Sequence, residues 1–221
     1  MHCGMFGKLP SKRDFVSYNM QRPFLEHWEG WLQTAIASSK HTLGSEWQDI
    51  FLKMPIWRFW FGANVFGQAT TGALMPSVDG IGRYFPLSIC ASAAKGFCLP
   101  PPPRKELDTW HEGCEHFLLG MLDDQLELEP ASLLEKHAFA PIEIQDGLAP
   151  NPGQQLGWTS ENGSLEGPFR SLELLNNEKT HGSKSYWWTS GGAAHKAQLI
   201  VLNGRANDRF LCAMMTGNFE R

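Results

Sequence analysis

The densest group of side chains able to do chemistry is the run Pro76-Ser77-Val78-Asp79-Gly80-Ile81-Gly82-Arg83-Tyr84-Phe85-Pro86-Leu87. Asp79 and Arg83 supply a carboxylate and a guanidinium four residues apart, and Ser77 adds a hydroxyl. Gly80 and Gly82 permit backbone turns that let these groups meet. Two outcomes are open. The side chains can converge on a ligand, with Arg83 holding an anionic group and Asp79 acting as base or orienter, as in a small-ligand-binding protein or a hydrolytic enzyme. Alternatively Asp79 bonds nearby amides and Arg83, closing a self-satisfied turn that locks two strands. Lys8, Lys12, Arg13 and Asp14 form a second polar group, which lies close to the first if the opening strand belongs to the same sheet; their plainer role is as solvated turn residues.

Other patterns fail on spacing. Gly4, Gly7 and Lys8 look like the tail of a phosphate loop, but the first glycine and the Ser or Thr after lysine are replaced by His2 and Leu9. A strand followed by a turn is expected there. His111 and His116 fall five apart on an expected helix, roughly 140° around it, so they diverge where a metal needs convergence. Even with Cys114 close by, no metal site is assigned, and the pair is expected to be solvated. There is no G-x-S-x-G elbow, and no cysteine has the local setting of a nucleophile. No catalytic residue and no cofactor are therefore assigned. Trp187 and Trp188 are adjacent on an expected strand and must point to opposite faces, which makes Trp188 a candidate partner anchor.

The elements that position these groups follow from apolar spacing. Pro23 suits a first helical turn, and Phe24, Leu25, Trp28, Trp31, Leu32, Ala35 and Ile36 recur at helical intervals. A short helix is expected from Ser45, whose hydroxyl and Gln48 suit a capping box, to a stop near Pro55. Residues 56–61, 68–75 and 84–93 read as strands, as do 186–189, 198–202 and 210–215, with Asn203-Gly204 as a turn between the last two. Short connections favour antiparallel pairing, and strands apolar on both faces need cover. The expected fold is α+β, or mixed α/β: a largely antiparallel central sheet flanked by helices. One unit of 221 residues is expected, with a first half over 1–97, an acidic helical segment over 104–138 and closing strands over 165–221. Pro100 to Pro103 form a spacer, and 147–164 collect Gly, Pro, Asn and Ser as a loop.

Bulk properties narrow the function. Net charge is −4 with no basic run, which argues against nucleic acid as a partner. Residues 104–137 carry three basic against nine acidic side chains, as on a solvated helix face. Five scattered cysteines without a C-x-x-C pair do not make a disulfide framework, the opening residues do not form a secretory signal, and no stretch suits a membrane span. A reducing cytoplasmic setting is the expectation.

Gly4-Met5-Phe6-Gly7-Lys8-Leu9-Pro10 with Asp14-Phe15-Val16, then Trp28 and Trp31-Leu32, then Pro76 through Leu87, together resemble the TagF/ImpM family; Ser185 to Thr189 and Phe210 through Gly217 are similar to its closing segment. The Ser-Val-Asp-x-x-Gly-Arg-x-Phe-Pro pattern is the most specific part, and Arg13 stands where the family leads one to expect glycine. The resemblance implies a cytoplasmic, non-enzymatic protein that restrains type VI secretion after translation and is linked to a forkhead-associated scaffold protein. The residues singled out for binding are Asp14, Ser77, Asp79, Gly82, Arg83 and Trp188. The ligand-binding or hydrolytic use of Ser77, Asp79 and Arg83 is the alternative.

Overall fold

Helical spacing of apolar residues after Pro23 produces α1, Arg22–Leu43, with Phe24, Trp28, Leu32, Ala35 and Ile36 all buried. It ends at Gly44, whose φ of 55° lies in the left-handed region that a side chain disfavours. In this computed structural model residues 1–94, 97–123, 132, 142–143 and 180–219 are described. The loop expected over 147–164 and much of the acidic segment lie outside them.

The strands β1 (His2–Gly7), β2 (Val16–Tyr18), β3 (Trp57–Phe61), β4 (Thr70–Met75), β5 (Leu87–Ser92), β8 (Lys184–Thr189) and β9 (Gln198–Asn203) form a seven-stranded sheet in the order β2-β1-β5-β4-β3-β8-β9. Every neighbouring pair is antiparallel. Two short strands, β6 (Phe97–Cys98) and β7 (Ile142–Glu143), pair separately. The fold is therefore α+β around an antiparallel sheet.

Alternation along the strands divides the core between the two faces. Trp57, Phe59 and Phe61 of β3 face α1 and the short helices α2 (Trp47–Leu52) and α3 (Ala63–Phe66), whereas Trp60 faces α4, Lys105–Gly120. On β8, Trp187 belongs to the first face and Trp188 to the second. Because β3, β4 and β5 are buried on both faces, they have no solvent-facing alternate positions, and even Arg58, Thr70, Thr71, Ser88 and Ser92 are buried. Trp28 ties α1 to the sheet: its indole N–H donates to Ser88 Oγ at 2.9 Å, and that hydroxyl donates to the Phe6 carbonyl at 2.9 Å.

Three expectations need correction. Residues 210–215 form a helix, α5 (Phe210–Thr216), in which Phe210, Leu211, Met214 and Met215 are buried at helical intervals. An apolar run of six satisfies either period, and here contact with α1 decides. Ser45 does not cap α2: it sits inside a 3-10 turn, Gly44–Glu46, and no side chain caps either element. A capping residue needs extended backbone, which that turn denies it. The strand expected from Tyr84 starts at Leu87, because Tyr84 bridges back to Val78 and Pro86 has no N–H to donate.

Candidate functional site

The loop between β4 and β5 closes on the segment after β1, and Asp79 is the centre of both. Its Oδ2 accepts from Lys8 Nζ at 2.8 Å and from Arg83 Nε at 2.7 Å. Its Oδ1 accepts the backbone N–H of Arg83 at 2.8 Å and of Ile81 at 3.2 Å. Ser77 Oγ donates to the Lys8 carbonyl at 2.7 Å. The backbone completes the turn, with Gly82 N–H donating to the Asp79 carbonyl at 3.0 Å and Asp79 N–H to that of Arg83 at 3.0 Å. Gly82 has a φ of 84°, and Gly80 approaches the other segment so closely that a Cβ there would stand 2.8 Å from the Pro10 carbonyl oxygen. The amide of Gly80 donates to the Lys12 carbonyl at 2.9 Å.

The Asp79 side chain has no exposed surface, whereas that of Arg83 is 51% exposed. Burial alone pushes the Asp79 carboxyl up, but the bonds from Lys8, from the backbone and side chain of Arg83 and from Ile81 outweigh it, holding the group well below the usual carboxylate range. A carboxylate so stabilised is a poor proton acceptor, and both of its oxygens are already in use.

The five residues 14, 77, 79, 82 and 83 are thus brought together. Asp14 is the outermost, with 98% of its side chain exposed and Oδ1 3.9 Å from Arg83 Nη2, which also donates to the Arg13 carbonyl. Lys8, expected to be a solvated turn residue, is buried instead, and its ammonium lies over the Phe15 ring at 5.0 Å. Phe15 in turn stacks on Phe6 and meets Phe85 edge-on at 4.8 Å. Phe15 and Ile81, both exposed on the rim of this knob, have no polar group to mark them in the sequence, and nothing local marks Lys8 as the ion partner of Asp79. The available signal for Lys8 was its place between the apolar run Met5-Phe6 and Leu9.

Trp188 lies apart, two strands from β4 on the α4 face. It is half-buried and meets His111 edge-to-face at 4.8 Å, beneath the helix. His111 corrects another expectation: it is wholly buried, whereas His116 is exposed. Burial, then the nearby charge of Arg58, lowers the His111 pKa to about 3 against the raising effect of the nearby Leu107 and Phe59 carbonyls. The ring donates through Nδ1 to the Leu107 carbonyl at 2.8 Å, and its Nε2 lies 2.9 Å from Thr71 Oγ1, whose hydroxyl is also 2.8 Å from the Phe59 carbonyl. Arg58 pairs with Glu115 of α4 at 2.6 Å, so this polar set fastens the helix to the sheet.

Residues 4–136 match the family model for the TagF N-terminal domain, type VI secretion system-associated. The chain belongs to that TagF family. The segment matched contains the whole knob, α1 and α4. The TagF chain is also similar to a solved structure, PA0076 from Pseudomonas aeruginosa PAO1, at 26% identity and a TM-score of 0.76 over 99% of this chain and 96% of that one. No curated protein matches the chain. Among the described residues, no helix is long and apolar enough to cross a membrane.

Proposed function

We propose that this protein is a cytoplasmic, non-enzymatic regulator of type VI secretion, a repressor that binds a component of the apparatus, the forkhead-associated scaffold protein, and withholds it from assembly. The observation that carries the reading is the closed state of the Asp79 turn. Its polar groups bond each other, and what faces solvent is a rim of Phe15, Ile81, Lys12, Arg13 and Asp14. Such a rim, apolar side chains edged with two cations and one carboxylate, suits contact with an apolar patch that carries charged residues. The ligand-binding or hydrolytic alternative needs Ser77, Asp79 and Arg83 to open onto a concave pocket, and the closed turn lends it no support.

Sequestration acts by mass action, so its effect scales with the amount of repressor. Deleting the gene raises secretion of a reporter effector and overproduction lowers it. Ile81→Asp, at a position 58% exposed and therefore tolerant of charge, abolishes repression while the protein remains at its normal folded level. Unchanged secretion in the deletion strain, under both inducing and non-inducing conditions, would overturn the proposal.

A further inference from the structure

A cleft of about 470 Å³ opens between α1, α3 and the segment joining β9 to α5, and it shares no residue with the knob. The buried rings of Trp28, Phe61 and Phe66 form its floor, with Trp31 on one wall and Arg205 and Asp208 on the other. The volume is within the range of small-ligand sites, and the lining combines flat apolar surface with a few charges.

Two features of this cleft are unexplained by the chain's own packing. The first is Arg205. Its Nε donates to the Val65 carbonyl at 2.9 Å, its guanidinium lies 4.8 Å from the Phe66 ring centroid, and Nη1 is 3.4 Å from His27 Nδ1. The stem is therefore fixed. Yet no carboxylate among the described residues pairs with it, although Glu26 and Asp208 line the same cleft; Glu26 turns instead to Arg22, at 3.3 Å. A guanidinium stacked on an aromatic face, with terminal N–H groups to spare, is organised to receive a planar carboxylate through two parallel bonds. The second is Gly30, in the interior of α1 on the cleft wall. A Cβ added there meets nothing within 4 Å. Glycine is less favourable than alanine in a helix interior, and crowding does not account for it here. What the missing side chain leaves is room in the cleft.

We propose that this cleft binds a carboxylate carried on a flat apolar group, with the carboxylate paired to Arg205 and the apolar group laid along Trp31 and the aromatic floor. The chemistry is shared by a free arylalkyl carboxylate and by the C-terminal aromatic residue of a peptide. The proposal is independent of the docking assigned to the knob, and either can fail alone.

The Trp31 indole N–H, which donates to the Asn207 carbonyl at 3.1 Å across the cleft wall, is the reporter. With the full chain labelled with nitrogen-15, its indole signal is followed during titration with 3-phenylpropionate, the corresponding amide, phenethylammonium, and a tetrapeptide ending in phenylalanine with a free or an amidated C-terminus. The carboxylates shift the signal saturably, and each amide binds about tenfold more weakly or worse. Arg205→Gln costs a similar factor for the acids. Gly30→Leu abolishes binding at an unlowered melting temperature, which separates a filled cleft from a misfolded chain. Tighter binding of the peptide acid than of 3-phenylpropionate assigns the site to a chain terminus, and the reverse order assigns it to a free small molecule. The proposal is overturned if neither acid saturates, if phenethylammonium binds as well as the acids, or if Arg205→Gln keeps full affinity.

Discussion

Asp79 carries two cations, one of them buried, so replacing it leaves Lys8 without a counter-charge in a place closed to water. Asp79→Asn therefore lowers the urea midpoint at neutral pH, and by more than Arg83→Ala, which removes a side chain half in solvent. The carboxyl's folded pKa is depressed, so its contribution is complete above the unfolded value of about 4 and is lost as pH falls further. The gap in stability between wild type and Asp79→Asn accordingly narrows below about pH 4. His111 acts in a different window. Its folded pKa is lowered to about 3, so between the unfolded value of about 6.5 and that point the unfolded chain binds a proton that the fold excludes. Denaturation measured from pH 7.5 downwards shows no contribution from His111 above 6.5, then a loss of about 1.4 kcal/mol per pH unit on acidification, a slope missing in His111→Gln. The closeness of Asp79 and Arg83 could be read from their spacing. The closeness of Lys8 to that loop was legible only on condition that the opening strand joins the same sheet, as the pairing of β1 with β5 makes it do; the bond itself spans 71 positions.

At the level of helices and strands, α1 is held by its aromatic stripe and by one directed bond. Trp28→Phe keeps most of the buried ring but leaves Ser88 Oγ without its donor, and costs about 2 kcal/mol in a urea titration. This helix was legible because its amphipathic period runs over many turns, bounded by Pro23 and Gly44. Residues 210–215 gave no such bound at their start: Phe-Leu-Cys-Ala-Met-Met is continuous apolar sequence, and only the wall offered by α1 settles it as a helix. Ser45 had the right side chain for a cap in the wrong backbone, a distinction that residue type does not record. His111 could not be separated from His116 by composition, since what differs is which side of α4 meets β4. Arg205 is seated by the Val65 carbonyl 140 positions away, so the cleft too depends on the assembled sheet.

Taken whole, the molecule places an antiparallel sheet between α1 and α5 on one face and α4 on the other, with a hydrogen-bonded knob at the β4–β5 turn. Membership of the TagF family ties it to type VI secretion, and the proposed action, contact with the forkhead-associated scaffold, requires only that the knob keep its shape. The most direct test is calorimetric titration of the purified chain into the purified scaffold protein of the same secretion system, with Ile81→Asp in parallel. Saturable binding by the wild type, weakened at least about tenfold by Ile81→Asp at an unchanged melting temperature, is the predicted result. No binding by the wild type, or equal affinity for the variant, would contradict it.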